Sequence, residues 1–447
     1  MSKLFSILIG GVIAAAFLGP GTITAAASAG AGHGFSLLWA LGFATLACLV
    51  LQEAAARLTI ASGLPLGAAL RRRSQGVAGQ AMLLLVLGAI VLGCAAYEAG
   101  NILGGVAGAQ LVFKDASPRL LTALSVGLAL ALLSLGSTRL VASVLGALVA
   151  VMGIAFAVTA IGLGPPPLSL AKGLLVPSAP AGSGLLILGL VGTTVVPYNL
   201  FLGSGLAAGR RLDSVRLGLV VAIGLGGLVS MAVLVTGSAV RGAFSFAALA
   251  EVLAAEMGPW AVDFFGAALF AAGFSSAVTA PLAAAMTARG LFADGADDPR
   301  WSDRAWRFRA VWLVVLATGA AFGLSGVRPV PVILAAQALN GALLPLVAAF
   351  LLIVVNDRHL MGSRRNTNGP AANAAMATVV AIATALGVRG VLRAASSALG
   401  RPEWAASASL LAACTALALA LCAGFILREL RRERRMAAAA ATAASDD

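Results

Sequence analysis

Long apolar runs separated by short polar turns dominate the chain. Each run approaches the roughly 20 residues that a helix needs to cross a bilayer, and about twelve such runs can be read. The first half holds Phe5–Gly30, Phe35–Ile60, Ala78–Phe113, Leu120–Leu135 and Leu140–Leu163. The second holds Gly184–Ala207, Leu217–Val240, Ala261–Ala288, Val311–Leu324 and Val332–Val355, followed by Ala374–Val388 and Ala405–Leu427. An all-α polytopic membrane protein is the expected class.

Two runs are interrupted near their middle. In span one, Phe17-Leu18-Gly19-Pro20-Gly21-Thr22 sets a proline between two glycines. Proline removes a backbone donor and clashes with the preceding turn, and glycine accepts φ > 0, so a helix breaks here. Irregular backbone at mid-depth persists only where it is buried in protein or lines a watery cavity, because lipid cannot satisfy the freed groups. Gly19 to Thr22 is therefore a candidate binding site. Span six repeats the device in Gly189-Leu190-Val191-Gly192-Thr193-Thr194-Val195-Val196-Pro197-Tyr198-Asn199-Leu200. A plain proline kink explains either break alone. Paired breaks five spans apart, in helices running opposite ways, instead point to an inverted-repeat transporter with a midplane site.

Composition supports a membrane setting. The 447 residues are 60% hydrophobic and only 11% charged, too little charge to cover a soluble protein of this length. The 53 glycines suit helices that approach closely in lipid. A net charge of +13 raises the question of nucleic acid, but the basic residues cluster in turns between apolar runs, so no nucleic-acid partner is expected. With the N-terminus inside, roughly 22 Lys and Arg fall on the cytoplasmic side and roughly 8 outside. The cytoplasmic turns hold Arg71-Arg72-Arg73, Arg210-Arg211, Arg289 through Arg309 and Arg428 through Arg435. Both termini are thus expected in the cytoplasm, with the protein in the bacterial plasma (inner) membrane. The N-terminal run reads as a retained first span rather than a signal peptide, since apolar character continues past the Gly-Pro-Gly break.

The expected organisation is a first repeat over 1–163, an external loop over 164–182 and a second repeat over 183–356. Spans eleven and twelve with a basic end follow over 357–435, and a disordered Ala-rich tail over 436–447.

The chemistry available inside the membrane is sparse. Cys48, Cys94, Cys414 and Cys422 lie in apolar runs without metal-ligand spacing and read as core thiols. His33 and His359, the only histidines, fall in turns. Glu53 precedes Arg57 by four residues, the spacing of a helical ion pair, and Asp263 follows Trp260 near an interface. Glu98 differs: it lies deep in span three beside Tyr97 and Asn101, with no basic residue in helical reach. A carboxylate in such a place stays protonated as a structural hydrogen bonder or meets a cation, as a coupling or charge-compensating group. An intramembrane hydrolase is excluded for want of a deep histidine, a metal motif or a nucleophile elbow, and nothing calls for a cofactor.

Several segments resemble the Nramp family of metal-ion transporters. Gly19-Pro20-Gly21-Thr22 and Ala29 through Trp39 resemble the family's Asp-Pro-Gly-Asn and the segment after it; Val196-Pro197-Tyr198-Asn199-Leu200 resembles its Met-Pro-His-Asn-Leu. Tyr97 through Phe113 is similar to its third span and Gly273 through Thr279 to its eighth. Gln337, Leu344-Pro345 and Asn356 through Gly362 are similar to its tenth span and exit loop. The resemblance implies the leucine-transporter-like (APC superfamily) fold of two inverted five-helix repeats, and metal-ion transport. At the family's metal-ligating side chains this chain has Gly19, Thr22 and Val196; its proton-linked histidines are replaced by Tyr198 and Gly203, and its third-span carboxylates by Glu98 and Asn101.

The expected substrate site comprises Gly19, Gly21, Thr22, Thr194, Val196, Tyr198, Asn199, Gln337 and Asn340, with Thr193 contributing oxygen. Glu98 and Asn101 are candidates for coupling, and Ser275, Ser276 and Thr279 for a further ion site, though hydroxyls on span eight also serve as helix glue. No metal ligand is certain. Three functions remain open: a symporter-type carrier of a divalent cation, a carrier of a small organic solute such as an amine or amino acid, and a non-transporting solute sensor. The partners implied are the solute, the lipid bilayer and a coupling ion, proton or sodium. Oligomeric state is not readable.

Overall fold

Proline starts helix after helix in this chain, because its missing N–H costs nothing at a first helical position and its φ is already helical. The computed structural model describes residues 18–431, except 75, 136–138, 296, 364–365, 399–408, 422, 425–426 and 428–430. The first half of span one, Cys422 and the tail 436–447 lie outside the described residues.

In chain order the helices are α1 (Pro20–His33), α2 (Leu38–Ser62), α3 (Leu66–Arg73), α4 (Gly76–Val112), α5 (Pro118–Leu135) and α6 (Arg139–Gly162). Then come α7 (Pro167–Leu175), α8 (Gly184–Thr194), α9 (Pro197–Leu206), α10 (Leu212–Gly237), α11 (Phe246–Met257) and α12 (Trp260–Phe292). The described series continues with α13 (Trp306–Leu324), α14 (Pro329–Val354), α15 (Arg358–Met361) and α16 (Pro370–Ala398). Among the described residues ten helical stretches are long and apolar enough to cross a membrane; one of them, Pro20–Ser62, takes in both the described part of span one and span two. A shorter apolar helix, Ser409–Leu421, falls in the expected twelfth run.

Among the described residues four α-helices lie outside the apolar runs, the single-turn α15 and three longer ones. α3 carries the arginine triplet, α7 sits in the loop after span five, and α11 follows span seven. Each is shorter than a membrane crossing, so a search for runs of that length passes over it. His359, expected in a turn, lies in the single-turn α15, where Asp357 accepts from the backbone N–H groups of His359 and Leu360.

Glycine sets how closely the spans pack. α4 and α12 meet backbone to backbone: a Cβ on Gly273 would lie 2.6 Å from the Asn101 carbonyl oxygen, and one on Gly108 would lie 2.7 Å from the Gly266 carbonyl oxygen. Such contacts replace side-chain interlocking with close van der Waals approach, the usual currency of helix association in lipid. α1 and α10 are equally tight, since a Cβ on Gly30 would meet the backbone of Leu234 and Ser238 and one on Gly237 the backbone of Ala27. α8 lies against α14 with Gly192 facing the backbone of Gln337 and Gly341.

Ion pairs knit the basic turns together at one end of the bundle. Arg73 donates Nη1 to Asp357 at 2.6 Å, and Arg71 pairs with Asp294. Glu53 accepts from Arg57 at 3.2 Å, the expected helical pair, and also from Arg216 of α10 at 2.7 Å. Cys48 and Cys94 are buried free thiols; Cys414 is free but only half-buried.

Candidate functional site

The interruption foreseen in span six is present, and in span one a helix starts at Pro20, the residues before Leu18 lying outside those described. Gly19 caps α1 with extended backbone (φ −73°, ψ 168°) and no side-chain cap, leaving first-turn amides of α1 unsatisfied by any intrahelical partner. In span six the helix stops at Thr194; Val195 (ψ 76°) and Val196 (ψ 122°) are non-helical, and Pro197 restarts it. The C-terminal carbonyls of α8 carry partial negative charge, and the N-termini of α1 and α9 partial positive charge.

These ends meet. The hydroxyls of Thr22 and Thr193 share a buried 2.8 Å hydrogen bond, which ties the first turn of α1 to the last turn of α8. Pro20 packs on Gly104 of α4, where any Cβ would collide with its ring. Around Gly19 the space is bounded by Ser276 of α12 and Tyr97 of α4: a Cβ there would sit 3.7 Å from Ser276 Oγ and 3.9 Å from the Tyr97 hydroxyl. Tyr97 stands edge-to-face with Tyr198 of α9, ring centroids 5.9 Å apart. Gln337 of α14 closes the other side, its amide pressed on Gly21 and its Oε1 buried without a hydrogen-bond partner among the described residues.

Gly19, Gly21, Thr22, Thr193, Tyr198, Ser276 and Gln337 therefore share one neighbourhood, joined by Tyr97. The remaining expected residues make other contacts. Asn340 donates Nδ2 to the carbonyls of Gly93 and Ala336, pinning α14 to α4. Thr194 bonds back to Leu190 and Ser275 to Ala272, each within its own helix. Thr279 is exposed and donates to the Ser275 carbonyl. Val196 is buried in the break and offers its carbonyl to the Asn199 amide. Asn199 is half-buried, and its own carbonyl accepts from Gln52 of α2. Gln52 was not singled out in the sequence, where a lone glutamine mid-span was its only signal.

Glu98 does not face Gly19. Its side chain is fully buried against α13, where a Cβ on Gly319 would lie 2.7 Å from Glu98 Cγ. Adjacent helical positions point about 100° apart, so Tyr97 reaches the break and Glu98 turns toward span nine. Among the described residues no group outside α4 hydrogen-bonds either carboxylate oxygen or Asn101 Nδ2. A carboxylate so placed bears a large desolvation cost until it takes up a proton or a cation. The neighbourhood of the break itself is neutral and rich in oxygen. Among the described residues no group of three or more His, Cys, Asp or Glu side chains is arranged to hold a metal. Whatever binds there meets hydroxyls, one amide, backbone dipoles and two phenol rings.

Comparison with known proteins agrees with this architecture. Residues 10–393 match the family model described as natural resistance-associated macrophage protein-like, Nramp. The chain is 29% identical over 382 residues to the divalent metal cation transporter MntH of Verminephrobacter eiseniae, covering 79% of this chain and 82% of that protein. It is 27% identical over 374 residues to MntH of Pectobacterium carotovorum, covering 79% and 86%. A solved structure of the Eremococcus coleocola manganese transporter superposes with a TM-score of 0.71 at 19% identity, over 95% of this chain and 94% of that one. At that identity the likeness speaks for the fold.

Proposed function

The chain belongs to the Nramp family, and on that premise we propose that it is a secondary transporter working by alternating access, with a divalent metal ion as cargo. The relatives it matches are divalent metal cation transporters by name, which is not an enzyme class. The observation that carries the reading is the Thr22–Thr193 bond, which joins the interruption of span one to that of span six. Broken helices meeting inside a membrane bundle form a solute site from their own termini.

In this reading the ion rests between Gly19, Thr22, Thr193 and Tyr198, facing the carbonyl end of α8. A bare dication among neutral oxygens is poorly compensated, so it keeps part of its hydration shell. Glu98, one position from Tyr97, takes up the coupling charge from the side of α13. The half-helices α1, α8 and α9 rock against a scaffold of α4, α5, α12 and α13. Residues 1–163 and 183–356 form the two inverted repeats, and both termini face the cytoplasm of a plasma-membrane protein.

Uptake of Mn²⁺ and Mg²⁺ by the purified protein in sealed liposomes tests the proposal, comparing the native chain with Glu98→Gln. Saturable uptake that is lost in the variant is the expected result. No uptake of either ion by well-folded protein sinks the metal assignment.

A second reading keeps the fold and changes the cargo to a small organic amine or amino acid. It is favoured by the two phenol rings and the lack of an acidic side chain at the break, since aromatic faces attract ammonium groups without a carboxylate. Thermal stabilisation by amines but not by Mn²⁺ separates the two.

A further inference from the structure

A cavity of about 1490 Å³ opens at the basic end of the bundle, between α3, α4, α9 and α12. Its lining contains none of the residues gathered at the two helix breaks; the nearest wall is Phe201 and Leu202, a turn beyond Tyr198.

The cavity has two kinds of surface. Three guanidiniums, Arg71, Arg72 and Arg289, line it against the single carboxylate of Asp294. Arg71 spends one nitrogen on Asp294, and Arg289 gives Nη1 to Asp303 at 2.8 Å. Arg72 is exposed and has no ion-pair partner among the described residues. The lining thus keeps a net positive charge and spare donors in the fork geometry that suits a phosphate. The other surface is apolar and open: Leu84, Leu206 and Met286 are 59%, 57% and 38% exposed. They belong to helical stretches long and apolar enough to cross a membrane, so they offer an acyl chain an apolar wall.

We propose that this cavity binds an anionic phospholipid, with the headgroup phosphate on Arg72 and the spare nitrogens of Arg71 and Arg289, and an acyl chain along Leu84, Leu206 and Met286. Basic pockets between spans at the membrane surface recognise anionic headgroups through this combination of charge and apolar wall. A free phosphate would use the guanidiniums and leave the apolar wall bare.

The test is native mass spectrometry of the full-length protein in mild detergent, offered phosphatidylglycerol or phosphatidylcholine with identical chains. The native protein should retain phosphatidylglycerol preferentially. Arg72→Gln should weaken that retention about fivefold, the scale of one interfacial guanidinium, and leave phosphatidylcholine unchanged. Leu84→Trp, which fills the apolar wall, should weaken both lipids, and its thermal melting shows that it folds. Equal retention of the two lipids by the native protein, or undiminished phosphatidylglycerol binding in Arg72→Gln, overturns the proposal. Displacement of the lipid by inorganic phosphate at modest excess also overturns it, by assigning the guanidiniums to a soluble anion.

Discussion

Tyr97 and Tyr198 meet edge-to-face, with ring planes at 83° and centroids 5.9 Å apart. They are the only two tyrosines in the chain, and they join the third span to the restart of the sixth beside the break of the first. Edge-to-face pairs of this kind favour a fixed mutual geometry. The ring pair therefore positions the Tyr97 hydroxyl toward Gly19.

Tyr97→Phe keeps the ring contact and removes only that hydroxyl. Losing one hydrogen bond to a bound ion or solute should weaken apparent affinity by roughly tenfold, with melting temperature unchanged. Concentration-dependent uptake in liposomes measures it. An unaltered half-saturation point would remove Tyr97 from the site.

Gly19→Leu should abolish uptake without unfolding the protein. A Cβ at Gly19 would sit at ordinary contact distance from Ser276 and Tyr97, and the three further carbons of leucine would take up the space proposed for the ion. Gly19→Ala should retain part of the activity. Uptake and a thermal melt, read on both variants, separate occlusion of the site from misfolding.

Much of this arrangement was legible in the sequence, for reasons that differ from residue to residue. Pro20 and Pro197 announce the breaks because a missing N–H is a local property. The pairing of those breaks put Thr22 and Thr193 in one candidate site, but the bond between them is visible only in the structure. What a single chain does not display is helical phase against a neighbour. Nothing in Tyr97-Glu98 says which of the two turns to Gly19 and which to Gly319. Asn340 likewise looked like a site residue until Gly93 was seen to leave its carbonyl within reach. Ser245, which accepts from the Ala248 amide and caps α11, was a readable start signal overshadowed by the apolar runs on either side.

Gly273→Val should destabilise the fold rather than the site. The branched side chain would collide with backbone atoms of Asn101 and Gly105, which cannot yield by changing rotamer. A loss of about 1–3 kcal/mol is typical of such overpacking. Melting temperature and yield of folded protein in detergent report it, and a wild-type melt would mean that α4 and α12 separate more easily than their contact implies.

The loop after α12 should loosen in acid. Arg300, assisted for Asp294 by Arg71, holds the carboxyls of Asp294 and Asp298 below the usual carboxylate range. Because the folded state lowers these values, the ordering they supply is fully present above about pH 4, the ordinary carboxylate value. It fades as pH falls through the depressed values. Amide protection over residues 293–305, taken as the observed exchange rate relative to the intrinsic rate at the same pH, should fall on acidification, and Asp298→Asn should lower it already at neutral pH.

The backbone contact of Gly30 and Gly237 gears two distant parts of the molecule together. With Gly30 set on Leu234 and Ser238, and Gly237 on Ala27, α1 and α10 touch backbone to backbone at this crossing, with no side chain on either glycine to absorb a displacement. At its far end, about 30 Å away at 1.5 Å per residue, α10 presents Arg216 to Glu53. The outer half of span one and the ionic junction at the basic end are thus the two ends of one rod. A tilt that opens the Thr22–Thr193 contact is expected to strain the Arg216–Glu53 pair in the same stroke.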